Sequence, residues 1–267
     1  MNCPICSHSM SHVFHAQVLS KYEASYQSCP QCGYLNVANP FWLEEAYGDA
    51  IARADTGIVT RNIGIASKLA GIFYFVLKRR SDEPALDVAG GYGLLTRLMR
   101  DIGFNFYWMD LYCKNLVAPG FEYSKELGNC TAITAMEVME HLEDPAAFVK
   151  TEMARVGAKY FIFTTELFDG APPAPESWWY YAFETGQHIG FFQRKTLERM
   201  AKNLGLQFSS AGGIHIFSEA SINERLLKLV ANKYFAPLFA ILVRLLKGSK
   251  TMSDHVIMLS EIQRRDQ

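Results

Sequence analysis

From Pro84 onward, short apolar runs alternate with segments whose apolar residues recur every three or four positions. The runs predict strands, and they are PALDVAG, FNFYWMD, CTAITAMEV, KYFIFTTEL, GGIHIFSE and HVIMLSEI. The periodic segments predict helices, and they are YGLLTRLMRDIG, EDPAAFVKTEMARVG and QRKTLERMAKNLG. Strands that alternate with helices are typical of a doubly wound, Rossmann-like α/β fold, so we predict a mostly parallel sheet of seven strands.

The rest of the chain divides into two further regions. We predict a small N-terminal module over residues 1–45, a helical lead-in over 46–80 and the α/β domain over 81–267. Helical spacing in IGIASKLAGIFYFVL, after the chain break at Pro40, supports the lead-in. A helical insertion at about 218–250 is expected between the last two strands, where it covers the pocket or forms a homodimer contact.

The most apolar stretch is YFAPLFAILVRLL, from Tyr234 to Leu246. It is shorter than the about 18 residues of a membrane span, and it contains Pro237 and Arg244. We therefore expect no membrane span and predict a helix that packs on the core or on a partner. Peripheral membrane contact through residues 226–246 is the alternative.

Composition and charge narrow the function classes. A hydrophobic fraction of 49% is enough for a sizeable core, and a formal net charge of −1 does not favour nucleic acid as a partner. The N-terminal MNCPICSHSM has no positive segment before a long apolar one, so no secretory leader is expected. These features predict a cytoplasmic protein and make nucleic acid a less expected partner.

Two C-x-x-C pairs lie near the N-terminus: Cys3 and Cys6 in CPIC, and Cys29 and Cys32 in CPQCG. Each turn directs two thiolates at one point, and two turns complete a tetrahedron around a metal ion at about 2.3 Å. Gly33 suits the positive φ of such a turn. The spacing predicts a structural zinc site that stabilises a module too small to fold on its own core.

Other interpretations of the cysteines are less favoured. Disulfides require an oxidising compartment, and a redox C-x-x-C requires a strand–helix junction, and the sequence indicates neither. His8, His12 and His15 are expected at the surface, because four cysteines already complete the site. Cys113 and Cys130 stand alone and are predicted to be buried side chains rather than nucleophiles.

The stretch LDVAGGYGLLTRL, residues 86–98, places an acid before three glycines at a strand–helix junction. Thr96 stands where a dinucleotide fold needs glycine or alanine, and no G-K-[ST] follows as in a phosphate loop. Asp87 suits a cationic amino group rather than a pyrophosphate, and Asp110, which ends the next strand, suits two ribose hydroxyls. S-adenosylmethionine carries both groups without phosphate, so these residues predict it as the cofactor.

LDVAGGYG, WMD and AMEVMEHLEDP together resemble the motifs of class I S-adenosylmethionine-dependent methyltransferases, over most of residues 84–267. The N-terminal CPIC…CPQCGYLNVANP resembles the zinc-binding front end of bacterial small-molecule and sugar methyltransferases. The resemblance implies that Asp87 and the glycine loop contact the methionine part of the cofactor and that Asp110 contacts its ribose. The cofactor site that it implies comprises Asp87, Ala89, Gly90, Gly91, Gly93, Asp110, Met136 and Glu137.

Two positions depart from the family's pattern. Ala89 replaces the first glycine of D-x-G-x-G-x-G, which costs little if its φ is negative. Thr131 stands where the family usually has an aspartate at the start of a strand.

In EVMEHLEDP, Glu137, Glu140 and His141 follow a strand end, where the family places the cofactor edge and the substrate. Three roles are open for them. Glu140 and His141 cap or charge the next helix, His141 acts as a general base, or the three residues join a divalent metal ion. The metal role is implied by resemblance to ubiquinone-pathway O-methyltransferases, which carry E-x-x-E-H.

A second candidate segment, APPAPESWWYYAFETGQHIGFFQRKTL, leaves the sheet on the ligand side. Its prolines and aromatic residues predict a lid or binding loop around the acceptor. GQHIGFF resembles a family segment, G-x-H-x-x-F/Y, near which sugar C-methyltransferases carry a Tyr/His pair. The resemblance implies His188 and Tyr181 as catalytic residues, and a loop-orienting role is the alternative for His188.

Together these patterns predict methyl transfer from S-adenosylmethionine to oxygen or carbon of a small acceptor, such as a sugar or another biosynthetic intermediate. Two alternatives are a non-catalytic cofactor-binding protein whose zinc module docks a partner, and a methyltransferase that acts on a macromolecule.

Overall fold

The computed structural model describes residues 2–47, 55–79 and 83–265, so the predicted lead-in at 48–54 and at 80 lies outside them. The strands are β1 Ser11–Val18, β2 Tyr22–Ser28, β3 Leu35–Ala38, β4 Ala85–Val88, β5 Phe106–Met109, β6 Ala132–Ala135, β7 Tyr160–Phe163, β8 Gly190–Phe191, β9 Gln207–Ala211 and β10 Ile214–Ser218. The helices are α1 Leu43–Ala46, α2 Ile58–Gly71, α3 Leu94–Ile102, α4 Pro145–Val156, α5 Arg194–Asn203, α6 Glu224–Val230, α7 Ala236–Lys247 and α8 Thr251–Arg265. A π-helical stretch, Ile72–Val76, continues α2.

The larger of the two sheets has the strand order β5-β4-β6-β7-β10-β9. Its first four strands are parallel, whereas β10 pairs antiparallel with both β7 and β9. Every residue of β4 and β6 is buried, because helices cover both faces of the sheet. Successive residues point to opposite faces, so Leu86 packs in the core with α4 and α5, while Ala85 packs in the core with α2 and α3. The predicted mostly parallel α/β fold is confirmed.

The prediction of seven strands was wrong, because this sheet has six strands among the described residues. HVIMLSEI, predicted as the last strand, lies inside α8. The buried Asp254 holds this segment against α3, so a tertiary contact overrides its local β pattern. Edge strand β9 was missed because its sequence, QFSSA, has little apolar alternation. The helical segment at 218–250 is present as α6 and α7, but it follows the last strand instead of interrupting the sheet.

The N-terminal sheet has the order β1-β2-β3-β8, and its fourth strand comes from a distant part of the chain. Leu35 in β3 pairs with Phe191 in β8, and the Val37 N–H donates to the Ile189 carbonyl at 2.9 Å. The Trp42 indole N–H donates to the Gly186 carbonyl, also at 2.9 Å. The N-terminal module therefore holds the segment 186–191, which contains His188, at a fixed place beside the larger sheet.

A buried ion pair fastens α8 to α3. Arg100 and Asp254 are each 3% exposed, and the guanidinium donates to both carboxylate oxygens, from Nη2 at 2.7 Å and from Nε at 2.8 Å. Arg97 donates to the same carboxylate at 2.7 Å. Burial opposes ionisation of Asp254, but hydrogen bonds from both arginines outweigh it and lower the pKa of this carboxyl.

We predict that Asp254→Ala lowers the free energy of unfolding by about 3–5 kcal/mol, because it leaves a buried guanidinium without its counter-charge. Urea unfolding followed by circular dichroism measures the loss. Glu198→Ala is the control, since its ion pair with Arg194 is exposed and contributes no more than about 1 kcal/mol. Equal losses in both variants would contradict the anchoring role of Asp254.

Candidate active site at the carboxyl edge of the parallel strands

The glycine-rich loop joins β4 to α3 and contains left-handed backbone. Gly91 and Gly93 have φ of +54° and +87°. Ala89 has a φ of +53°, so the condition under which its replacement of glycine costs little is not met. Glu137, after the neighbouring strand β6, has a φ of +57°. Two non-glycine residues in this strained region therefore follow adjacent parallel strands, and strain of this kind clusters at functional sites.

Asp110, directly after β5, is hydrogen-bonded to the loop backbone. Its Oδ2 accepts a hydrogen bond from the Gly91 N–H at 2.9 Å. Its Oδ1 accepts from the N–H groups of Tyr112 at 2.7 Å and Cys113 at 2.8 Å. Trp108 also ties the loop to β5, since its indole N–H donates to the Gly91 carbonyl at 2.9 Å. Asp110 therefore fixes the loop and retains acceptor capacity for a ligand hydroxyl.

Asp87 lies beneath the loop and is only 2% exposed. It accepts hydrogen bonds from the hydroxyls of Thr134 at 2.7 Å and Thr96 at 3.3 Å. Burial raises the pKa of this carboxyl to about 7. In the sequence analysis, Thr96 served only as evidence against a dinucleotide-binding motif. In the structure it is a hydrogen-bond partner of Asp87. A Cβ on Gly90 would lie 2.9 Å from Asp87 Oδ2, so the loop passes closely over this carboxyl.

Glu137 and Met136 follow β6. The Thr164 hydroxyl donates to Glu137 at 2.6 Å, and Arg61 Nε lies 3.8 Å from its other oxygen. Burial and the nearby Glu140 raise the pKa of Glu137. Met136 is half-buried and packs against the core on the α2 side of the sheet. Thr131 precedes β6 and its hydroxyl donates to Glu83, so this departure from the family pattern lies at the opposite edge from the loop.

Glu140 and His141 lie in a short 3₁₀ turn, Met139–His141, that follows β6. They do not cap the next helix, because Asp144 does so by accepting from the Ala147 N–H at 2.9 Å. Glu140 is fully buried, and neither of its carboxyl oxygens has a hydrogen-bond partner in the described part of the chain. A buried polar group of this kind is costly unless a ligand or a proton satisfies it.

His141 and His188 face each other across the site, with ring centroids 4.8 Å apart. Nδ1 of His141 lies 3.1 Å from the Gln187 carbonyl, and Nδ1 of His188 lies 2.7 Å from the Tyr180 carbonyl. A carbonyl oxygen only accepts, so each Nδ1 carries a proton and each neutral ring leaves Nε2 as an acceptor. Burial is the main cause that lowers the pKa of His141 to about 3, and the proximity of the His188 ring, which would repel a second protonated imidazole, adds to it.

The two central tyrosines of the aromatic segment, residues 171–197, make different contacts. Tyr180 packs against His188, with ring centroids 4.7 Å apart, and its hydroxyl lies 3.2 Å from that of Thr165. Tyr181 is 1% exposed, stacks on Phe183 and donates to the Pro173 carbonyl at 2.8 Å. The structure therefore brings Tyr180, rather than Tyr181, together with the histidine pair, because consecutive residues of the 3₁₀ turn point in different directions.

A row of rings links the glycine-loop side of the site to the aromatic segment. The ring centroids of Tyr112 and Tyr47 are 6.1 Å apart, and those of Tyr47 and His141 are also 6.1 Å apart. His141 contacts His188, and His188 contacts Tyr180. The sequence assigned no role to Tyr47, because it is distant along the chain and has no motif around it. The same edge of the sheet thus carries both the loop and the histidine pair.

One cluster here also has the composition of a metal site. Glu140, His141 and His188 each offer a ligand atom within 4.8 Å of the others. The set differs from the one implied by E-x-x-E-H, since Glu137 does not belong to it and is bonded to Thr164 instead.

The four N-terminal cysteines come together at the contact with α5. Cys3 and Cys32 have Sγ atoms 3.6 Å apart, and Cys6 and Cys29 have Sγ atoms 3.4 Å apart. A tetrahedral ion with ligands at about 2.3 Å separates the sulfurs by about 3.8 Å, so the donor set fits. Three of the four are buried. His8, His12 and His15 do not belong to the cluster and are exposed.

The two remaining cysteines have no such partners in the part of the chain that the structure describes. Cys130 is buried and Cys113 is half-buried. Burial raises the pKa of both thiols to about 11, which makes them poor nucleophiles.

The fold is that of an α/β protein, and the glycine loop and the histidine pair lie at the carboxyl edge of its parallel strands, where open α/β sheets generally bind ligands. Residues 65–211, more than half of the chain, match the family described as methyltransferase domain. The chain belongs to this family, which confirms the resemblance noted in its motifs. No curated protein matches the chain.

Solved structures with a similar fold share little sequence with the chain. TnmH is 16% identical with a TM-score of 0.46, over 67% of this chain and 60% of TnmH. The mitomycin 7-O-methyltransferase MmcR is 13% identical with a TM-score of 0.44, over 66% of this chain and 59% of MmcR. Magnesium protoporphyrin IX methyltransferase from Synechocystis PCC 6803 is 11% identical with a TM-score of 0.42, over 66% of this chain and 90% of that enzyme. The chain thus spans about 60% of the length of the first two.

We predict that His141 destabilises the fold in acid. Its pKa is about 3 when folded and about 6.5 when unfolded, so the unfolded state binds the extra proton and stability falls as the pH drops from about 6.5 towards 3. His141→Gln should flatten the pH dependence of the free energy of unfolding by up to about 1.4 kcal/mol per pH unit.

The pH profile of the free energy of unfolding is compared between each variant and the wild type. This comparison is needed because Asp87 titrates in an overlapping range and changes stability with pH in the opposite direction. The exposed His12 provides the control position, and the change caused by His141→Gln is read against that of His12→Gln. If His141→Gln keeps the wild-type slope, the imidazole is not held neutral by the fold.

Proposed function

We propose that this protein transfers a methyl group from S-adenosylmethionine to a small-molecule acceptor. The observation that carries the proposal is the position of the histidine pair, whose unprotonated Nε2 atoms lie on the same sheet edge as the strained glycine loop. Two lone pairs beside a cofactor loop suit the removal of a proton from an acceptor hydroxyl or an acidic carbon. The oxygen or carbon that accepts the methyl group is of this kind.

The cofactor site is built from the loop backbone and Asp110. S-adenosylmethionine, when bound, supplies an activated methyl group on a sulfonium. Asp110 suits the ribose hydroxyls, since its carboxylate lies at the strand end and already orients the loop through Gly91. Asp87 supports the loop from below through Thr96 and Thr134. The contact of Asp87 with the methionine part, implied by the resemblance, then depends on movement or on a bridging water.

The acceptor site is assigned to the histidine pair and the aromatic segment. His188 is held by the Tyr180 carbonyl and His141 by the Gln187 carbonyl, so both rings are oriented before an acceptor arrives. Of the two, we assign the base role to His188, because its partner Tyr180 belongs to the aromatic segment after β7 that we assign to the acceptor. Glu140 lies behind the pair, where it stabilises a proton taken up by Nε2.

The N-terminal module is assigned a structural role through zinc. Its cysteines pack on α5, where the Thr196 hydroxyl donates to the Cys32 carbonyl at 2.7 Å, and Asn203 donates to the Ile5 carbonyl at 2.6 Å. Because the module is attached to its own α/β domain, we favour a structural role for it within an enzyme over a role in docking a separate partner. The four clustered cysteines suit a metal ion, which requires reduced thiols, so we retain the cytoplasm as the proposed location.

We predict that the zinc-replete protein binds S-adenosylmethionine in titration calorimetry and that Asp110→Ala weakens binding at least about tenfold. The variant loses charge-assisted hydrogen bonds to the ribose and the anchor for Gly91. Glu198→Ala, in an exposed ion pair on α5, is the control and should bind as the wild type does. Absence of binding by the wild type would overturn the proposed function.

We predict that His188→Asn lowers the rate of methyl transfer by about 10²–10⁴-fold, since it removes the general base. The rate is measured as S-adenosylhomocysteine release, with the acceptor found by screening small molecules that carry hydroxyls or acidic carbons. Tyr180→Phe keeps the ring that supports His188, and Tyr181→Phe changes a tyrosine outside the site. Loss of cofactor affinity in step with the rate would assign His188 to the fold instead of the reaction.

We predict one equivalent of zinc per chain, lost in Cys29→Ser together with the fold of the N-terminal sheet. The serine hydroxyl is a poor replacement for a thiolate, and the ion holds a module with a small core of its own. Metal analysis and thermal unfolding measure the two effects. Cys113→Ser, outside the cluster, should retain both, and a zinc-free wild-type protein with intact thiols would contradict the site.

A further inference from the structure

Helix α7 carries an apolar stripe that nothing in the described chain covers. Its buried side, which includes Ala240 and Val243, packs against the α2 side of the core. The opposite side exposes large aliphatic residues at helical spacing: Leu238, Ile241, Leu242, Leu245 and Leu246. Leu238 is 63% exposed and Leu245 is 79% exposed, so these side chains lie well out in solvent.

The exposed apolar residues continue into the segment that precedes α7. Tyr234 and Phe235, just before the helix, are 73% and 47% exposed. Contiguous exposed apolar residues on this scale mark an interaction surface. We call the exposed residues of 234–246 the α7 stripe.

Between Glu224 and Asp254, all the Lys, Arg, Asp and Glu residues are basic. Residues 225–253 contain six Lys and Arg and neither Asp nor Glu, although the whole chain has 26 basic and 27 acidic residues. Arg225, Lys228, Lys233 and Arg244 are exposed and form no ion pair with a described residue. The aliphatic surface is therefore flanked by cations that have no acidic partners in the same segment.

This charge pattern decides between the surfaces that an apolar stripe can contact. A second copy of the chain would bring the same cations together across a two-fold axis, and like charges in close contact are unfavourable. A bilayer with anionic headgroups attracts the cations while its acyl boundary takes up the aliphatic residues. Tyr234 adds an amphipathic ring of the type found at membrane interfaces.

The helix does not cross the bilayer on this view. Among the described residues, no helix is long and apolar enough to span a membrane. A helix whose one side is buried in its own domain lies parallel to the surface and inserts only its exposed side.

We propose that the α7 stripe is a peripheral docking surface for a bilayer that contains anionic lipids. The protein binds through insertion of the exposed leucines and isoleucine and through attraction of Lys233 and Arg244 to the headgroups. The proposal is independent of the assigned reaction, because it concerns a surface built from α7 and its neighbours and not the histidine pair.

The test is co-sedimentation of the full-length, zinc-replete protein with vesicles of phosphatidylcholine and phosphatidylglycerol, and with vesicles of phosphatidylcholine alone. We expect binding to the mixed vesicles that is at least tenfold stronger than to the neutral ones and that weakens as salt is raised. Lys233→Glu with Arg244→Glu should weaken binding at least tenfold, as should Leu238→Ser with Leu245→Ser.

Two double variants serve as matched controls. Lys150→Glu with Lys159→Glu makes the same charge change at exposed positions outside the stripe, and Val13→Ser with Phe41→Ser removes exposed apolar groups from the N-terminal module. Both controls should bind mixed vesicles more tightly than the matching stripe variants. Unchanged thermal unfolding shows that each variant is folded, since all substituted side chains are exposed.

The proposal is overturned if the wild type does not bind mixed vesicles, or if the stripe variants bind as tightly as their controls. Sedimentation velocity supplies the remaining outcome. A dimer that the leucine variants convert to a monomer, with no vesicle binding by the wild type, would assign the stripe to a second copy of the chain.

Discussion

The pairing of β3 with β8 joins the two parts of this molecule and places the residues that we assign to the reaction. It brings Gly190 and Phe191 into the N-terminal sheet, and Trp42 adds a hydrogen bond to the Gly186 carbonyl. His188 lies between these attachment points, so the N-terminal module limits the freedom of the segment that carries it. The Ile189 N–H also donates to the Glu140 carbonyl at 2.8 Å, which connects the segment to the turn after β6. Zinc in the module would thus act on the reaction only by positioning.

Several features that lower the stability of a fold lie together at the carboxyl edge of the parallel strands. Ala89 and Glu137 adopt left-handed backbone, Asp87 is a buried acid with a pKa of about 7, and Glu140 is a buried acid without a hydrogen-bond partner among the described residues. Each feature costs free energy, and all four residues lie in or shortly after the adjacent strands β4 and β6. This concentration at one edge is the pattern expected where local stability has been given up for ligand binding.

Sequence patterns located most of the elements around the site but not the contacts within it. The glycine loop, the strand ends at Asp110 and Glu137, and the cysteine pairs all follow from local spacing, because a strand–helix turn or a C-x-x-C turn is a short-range structure. The choice between Tyr180 and Tyr181 could not be made in this way. It depends on how a single 3₁₀ turn is oriented by distant packing with Phe183 and His188.

The sequence by itself determined the α/β class, the position of the ligand edge and the grouping of the four cysteines, since periodicity and turn chemistry act over a few residues. Only the tertiary structure decided the secondary structure of the C-terminal segment and which residues form the histidine site. HVIMLSEI lies in α8, which the Asp254–Arg100 ion pair holds against α3, and the α7 stripe is exposed because the helix buries its other side in the core. Tyr47, His141 and His188 meet because three distant segments pack at one edge, and no local pattern records a contact of that range.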